Sequence, residues 1–372
     1  MKFASIYIFT LIIGLLLAGC SGKTDSPSPG TTTPPTSTTT TTPPSTTSTT
    51  PPSPTATTGA IVTTLAGNGT EGYVDATGSA ARFKNPSALV CDKADNIYVV
   101  DLNNARIRLV SPAGVVTTLA GNGSVGITDG TGASASFYLA GGGYVCRDAS
   151  GNMLLSENST TRASIRQVTP AGIVSTLTSV PIGVGNPLGF YGITTAPNGD
   201  LYISDGGAIR LFRNGNLTIF AGGTRGYANG TLSEAQFSNP DALAFDTDGN
   251  LYVGDANDCI RKITPAGVVS LLAGQPKVNG NADGKGSAAT FSSINSLVVD
   301  KQGNLYAADS YLIRKVTPDG TVTTIAGSSP GYVDGAGTAV RFNNARSIAI
   351  DSKGILYVAD LSNQVIRKIV TQ

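Results

Sequence analysis

An apolar run that ends in an acid recurs six times along this chain, and that recurrence constrains the fold more than any single residue does. The acids are Asp101, Glu157, Asp205, Asp255, Asp309 and Asp360, separated by 56, 48, 50, 54 and 51 residues. A period near fifty residues marks a tandem array of one supersecondary unit. Each unit holds four short runs rich in Val, Ile, Leu and Tyr, as in 242–245, 251–254, 260–263 and 268–273. Runs of this length bounded by Gly, Asn, Asp and Pro are strands. The turn residues agree: Asp246-Thr247-Asp248-Gly249-Asn250 separates the first two runs, and Thr264-Pro265-Ala266-Gly267 separates the last two. Proline presets φ at the second turn position, and glycine accepts the left-handed exit. No stretch has helical periodicity. Four antiparallel strands repeated six times predict an all-β, six-bladed β-propeller over residues 60–372.

The units resemble NHL repeats. The resemblance rests on Asn85-Pro86-Ser87-Ala88-Leu89, on Asp101, on Arg106-Ile107-Arg108 and on Thr118-Leu119-Ala120-Gly121, and it covers nearly all of residues 60–372. One departure limits what it implies. The family is named partly for a histidine before the Arg-Ile pair, yet this chain has no histidine. Ala105, Cys259 and Val365 stand near that place, so histidine-based functions of such proteins do not transfer.

The two ends of the array predict how the ring closes. The last unit stops at its third strand, Val365 to Gln372, while Ala60 to Gly67 copies the fourth-strand segment Gly114 to Gly121. Pairing the two completes blade six and removes an open strand edge, which would otherwise invite aggregation.

Before residue 60 the chain is of a different kind. Lys2 is followed by the apolar run 3–17, which is short for a membrane span of roughly 20 residues. A charged start, an apolar stretch and small residues at its end read as a secretory signal, residues 1–19. The Leu17-Ala18-Gly19-Cys20 ending resembles the lipobox of bacterial lipoproteins, which implies acylation of Cys20, a membrane anchor and an exported protein held at the cell envelope. Ser21 is similar to the outer-membrane sorting pattern if the host has two membranes. Between Thr31 and Thr58, 27 of 28 residues are Thr, Ser or Pro. Such a segment has almost nothing to bury, and residues 20–59 are predicted to be an extended tether, a candidate for O-glycosylation.

Composition excludes several functions for the folded part. It carries 23 basic and 23 acidic residues once Lys2, Lys23 and Asp25 are set aside, and nucleic acid would demand a basic face. Cys91, Cys146 and Cys259 form neither a disulfide framework nor a metal-ligand spacing. Zero histidines removes the commonest general base and metal ligand. No cofactor is expected, and a monomer is.

The repeated charges read as architecture. Each unit has an Ile-Arg pair on its third strand (Arg108, Arg166, Arg210, Arg261, Arg314, Arg367), five to nine residues after the acid. A residue repeated six times serves the repeat, whereas a site needs asymmetry. Strand parity then locates the functional face. The first and third connections of each blade are tight Gly turns, such as those at Gly114 and Gly267. The second and the blade-to-blade connections, on the opposite face, are longer and more varied, and loops on a rigid scaffold carry function. The connection into blade three, Thr178 to Tyr191, lacks the pattern the others share and is apolar. These considerations make Leu188, Phe190, Tyr191, Tyr138, Asn103 and Asn257 the candidate ligand contacts.

Two functions fit. One is a binding or scaffold module that meets a protein, glycan or small ligand through the long-loop face. The other is a propeller hydrolase or lyase with a carboxylate-bound calcium at the channel mouth, for which Asp75, Asp129, Asp283 and Asp334 are available. The anchor itself is directly testable: a Cys20→Ala chain is expected to lose palmitate labelling and to be misprocessed, and unchanged labelling would contradict the lipidation.

Overall fold

The computed structural model describes residues 59–139, 143–183 and 189–371. Cys20, the apolar leader, the Thr/Ser/Pro segment and Leu188 lie outside them. The described residues form six antiparallel sheets, the blades of a six-bladed propeller. Blade one consists of Pro86–Cys91, Ile97–Asp101, Arg106–Val110 and Val116–Ala120 in that order from the inside out. Its first strand lines the central channel, as do Tyr144–Arg147, Ile193–Thr195, Ala242–Phe245, Ile294–Val299 and Ala345–Ile350 of the other blades. The predicted tight turns hold as well. The carboxylate of Asp300, for example, accepts the N–H groups of Gln302 and Asn304 at 2.9 and 2.8 Å, which ties the turn between the first two strands of blade five.

Blade six closes as the sequence predicts. Ile61–Ala66 pairs antiparallel with Val365–Val370, with Ile61 opposite Val370 and Thr64 opposite Arg367. Val62 and Ala66 are completely buried.

The apolar core is divided among the six junctions between blades. Tyr357, Ala359 and Ile366 of blade six pack with Leu89, Val99 and Val110 of blade one, and Tyr98 and Val100 of blade one with Met153, Leu155 and Val168 of blade two. Tyr202, Tyr252 and Tyr306 occupy corresponding junctions. All three cysteines of the propeller are free and buried, and burial pushes their thiols above the usual range.

Buried arginines bind each blade to the loop that leads into it. In blade one, Arg108 donates through Nη1 to Asp101 Oδ2 (2.6 Å) and to the Arg82 carbonyl (3.1 Å). Its Nη2 donates to Asp75 Oδ1 (2.5 Å) and the Val74 carbonyl (3.0 Å). Asp75 in turn accepts the Thr118 N–H at 3.0 Å, so one guanidinium links strands two, three and four to the incoming loop. Its carbon lies 5.2 Å from the Phe83 ring centroid, in cation–π range. Arg166, Arg314 and Arg367 repeat this arrangement with Asp129, Asp283 and Asp334. In blade four, Asn229 replaces the loop acid and bonds Arg261 instead.

Blade three departs from the pattern. Among the described residues Arg210 pairs with Asp205 alone, and it is more exposed than its five counterparts. The reason is in the sequence: the Thr178 to Tyr191 connection carries no Gly-Tyr-Val-Asp segment to supply an acid.

Breaking a buried pair by removing one partner leaves an uncompensated charge and costs about 3–5 kcal/mol. Arg314→Met is therefore expected to lower stability by about that much in urea denaturation, and Arg210→Met, which loses one contact at a less buried place, by clearly less. Equal costs would contradict the reading of the arginine as the tie between loop and blade.

Candidate ligand site at the channel mouth

The six inner strands start on the long-loop face, and each passes the mouth of the channel at an equivalent position. In blades one, five and six a β-bulge sits there, between Pro86 and Ala88, Ile294 and Ser296, and Ala345 and Ser347. Bulges recur beside functional sites because they re-aim a side chain. The residues at this position are Ser87, Gly143, Tyr191, Asp241, Asn295 and Arg346 around the ring, matched by the pairing of the residue that follows each of them. No two are alike; the last inner-strand position, at the other end of the channel, also differs in every blade (Cys91, Arg147, Thr195, Phe245, Val299 and Ile350). Gly192, next to Tyr191, is required for the ring to fit together: a Cβ there would stand 2.3 Å from the Asp241 carbonyl oxygen of the neighbouring blade.

Arg346 crosses the mouth. Its Nη2 donates to the Tyr144 hydroxyl at 3.0 Å, reaching from blade six to blade two, and its guanidinium carbon lies 5.3 Å from that ring's centroid. Its Nη1 donates to Asn295 Oδ1 at 3.3 Å. Tyr144 meets Tyr191 edge to face, with centroids 6.5 Å apart. Asp241 completes the group. Burial raises its carboxyl to about 6, against the opposing pull of Arg346 and the Tyr144 hydroxyl, and Oδ1 is buried without a hydrogen-bond partner. Burial likewise pushes the Tyr144 hydroxyl up to about 12, so it stays protonated at physiological pH.

Below these groups a cavity of about 260 Å³ extends along the channel between apolar walls that include Leu89, Ile193, Leu243, Leu297 and Ile348. Arg147 lines its far end, with a buried Nη1 that lacks a hydrogen-bond partner. An apolar cavity with a few convergent polar groups is the usual form of a small-molecule site, and this volume lies just under the common range of roughly 300–1,000 Å³.

The residues picked from the sequence are dispersed. Tyr191 packs on Tyr144 beside the mouth and does not itself line the cavity. Phe190 is completely buried and packs between blades two and three with Leu154, Ile165 and Ile203, the role that Phe83 and Phe137 have at earlier junctions. Asn257 is also buried, donating to the Gly226 carbonyl and to Asp255 at 2.9 Å each. Asn104 and Asn363 make the matching bonds in blades one and six, so Asn257 belongs to the repeat. Asn103 is exposed in the turn Leu102–Asn104, and the half-buried Tyr138 has its backbone N–H bonded by Glu157; neither lines the cavity. Asp75, Asp129, Asp283 and Asp334 are each engaged by an arginine and by a threonine N–H. Among the described residues no group of three His, Cys, Asp or Glu side chains could hold a metal ion. The residues that sequence reasoning missed are Tyr144, Asp241, Asn295 and Arg346. Comparing the six units column by column would have singled out three of them, as residues of an inner-strand position on the long-loop side that differs in every blade.

No family model matches the chain. Among curated proteins it is similar to Teneurin-3 of Danio rerio, 25% identical over 83% of this chain and 13% of that protein. It is also similar to Protein SUPPRESSOR OF QUENCHING 1, chloroplastic, of Arabidopsis thaliana, 26% identical over 83% of this chain and 27% of the relative. The chain thus spans 13% and 27% of the length of these relatives. Among solved structures, a protein of unknown function from Bacteroides thetaiotaomicron superposes with a TM-score of 0.67 at 20% identity, covering 84% of this chain and 76% of that one. An auxiliary nutrient binding protein from Bacteroides ovatus gives 0.64 at 22% identity, over 84% and 77%. A gluconolactonase from Xanthomonas campestris gives 0.55 at 14% identity, over 84% and 90%. At these identities the likeness shows a shared propeller fold, which is common to binding proteins and enzymes alike.

Proposed function

We propose that this chain is a binding module, exported and held at the cell envelope through Cys20, that takes a small hydroxyl-bearing ligand of the saccharide class at the long-loop mouth of the propeller. One observation carries the reading: the ring of unlike residues at the bulge position. Side chains that serve the fold recur from blade to blade, whereas Asp241, Asn295 and Arg346 differ from their counterparts and line one opening, with Tyr191 packed beside them on Tyr144. Their chemistry suits a sugar. The edge-to-face tyrosines offer an apolar ring surface with a hydroxyl. The amide of Asn295 and the carboxyl of Asp241 can accept from or donate to hydroxyl groups. A cavity of about 260 Å³ has room for a small molecule at most. The Bacteroides ovatus nutrient binding protein among the structural neighbours is in keeping with such a role.

Isothermal titration against a panel of mono- and disaccharides tests the reading. Asn295→Ala and Tyr191→Ala are expected to weaken whichever ligand binds by tenfold or more, with the melting temperature lowered by a few degrees at most. If binding is lost only when the opposite-face turns at Gly114 or Gly267 are changed, the site lies elsewhere.

A further inference from the structure

Within the binding role proposed above, the geometry points to an acidic sugar as the ligand, with its carboxylate held by Arg346. Arg346 differs from the third-strand arginines, and it shares with Arg147, at the far end of the cavity, the lack of a carboxylate in ion-pair contact among the described residues. Arg108, Arg166, Arg210, Arg261, Arg314 and Arg367 each have a carboxylate within ion-pair distance. Among the described residues Arg346 has none, and its hydrogen bonds go to two neutral groups, the Tyr144 hydroxyl and the Asn295 carboxamide. A half-buried guanidinium with no carboxylate in direct contact, Asp241 lying beyond ion-pair distance, is a ready partner for one, and charge-assisted bonds to a carboxylate are roughly twice as strong as neutral ones.

The position of this arginine adds selectivity. Because Arg346 reaches across the channel to Tyr144, a ligand entering the cavity must displace that contact. A carboxylate replaces it with a stronger bond, and a neutral hydroxyl gains nothing by the exchange. The charge count sets the size of the anion: one guanidinium beside one carboxyl suits a monoanion better than a phosphate dianion.

Asp241 makes the site respond to pH. The groups around it are Arg346 from blade six, Tyr144 from blade two, Arg225 from the loop into its own blade, and Asp255 from the second strand of that blade. Ionised, it repels a ligand carboxylate; protonated, it becomes a donor toward one, and the unpartnered Oδ1 marks where a ligand group can bond. Binding of an anion therefore favours proton uptake, and affinity rises as pH falls through about 6, the value to which burial raises this carboxyl.

The test is isothermal titration of the full chain with D-glucuronate and D-galacturonate, each beside its neutral sugar, D-glucose or D-galactose, at pH 5.5 and 7.5. The uronates are expected to bind at least tenfold more tightly than the neutral sugars, and several-fold more tightly at pH 5.5 than at 7.5. Arg346→Gln should abolish the preference and Arg346→Lys should keep part of it. Asp241→Asn should remove the pH dependence and raise uronate affinity at pH 7.5. Circular dichroism and melting temperature establish that each variant folds. Equal affinity for acid and neutral sugar, or uronate affinity untouched by Arg346→Gln, overturns the inference while leaving a sugar-binding mouth in place, provided Asn295→Ala still weakens the neutral sugar. If neither uronate binds, the inference fails as well, and the binding role then stands or falls with the saccharide panel.

Discussion

The buried arginine on the third strand of each blade is the interaction on which the rest of this structure depends. A propeller blade alone has an exposed outer edge and two faces to cover. The apolar junctions cover the faces, and the incoming loop must be fixed against the outer strand. In blades one, two, five and six a single guanidinium does this by bonding the strand-two acid, two loop carbonyls and the loop aspartate, which itself holds a threonine N–H of strand four. Isolated charges at this depth would be unfavourable by several kcal/mol. In these four blades each is matched, and in blades three and four, where the loop aspartate is absent, the arginine keeps its strand-two acid.

The same repetition frees one position to differ. Once the loops are fixed, each inner strand carries an equivalent residue near the mouth, at a β-bulge in blades one, five and six. Six blades thus supply six independent choices on a rigid ring. Ser87 and Gly143 leave room, while Tyr191, Asp241, Asn295 and Arg346 furnish an aromatic edge, a carboxyl, an amide and a cation. On the proposed reading, function lies in positions that break the repeat, and the fold lies in those that keep it.

That division also explains what could be read from the sequence. The strand runs, the tight turns, the acid–arginine pairs, the interblade tyrosines and the closure by Ile61–Ala66 were legible because each is stated several times over, or is visibly missing at one end and spare at the other. The mouth was not, because each of its residues occurs once and lies a few residues from the others only in space. Arg346 and Tyr144 are 202 positions apart. Phe190 and Asn257 misled for the converse reason. An aromatic in an irregular apolar loop and an asparagine after a strand look presented to solvent, yet one fills a blade junction and the other ties a loop to its carboxylate.

The account comes down to where a ligand sits and which atom holds it. A crystal structure of the chain with D-glucuronate bound measures both at once. The account expects the sugar in the mouth above the channel cavity, its carboxylate on the Arg346 guanidinium in place of the Tyr144 hydroxyl, and a sugar oxygen within hydrogen-bond distance of Asp241 Oδ1. A sugar bound on the tight-turn face, or one in the mouth with the Arg346–Tyr144 bond intact and its carboxylate turned to solvent, would contradict it.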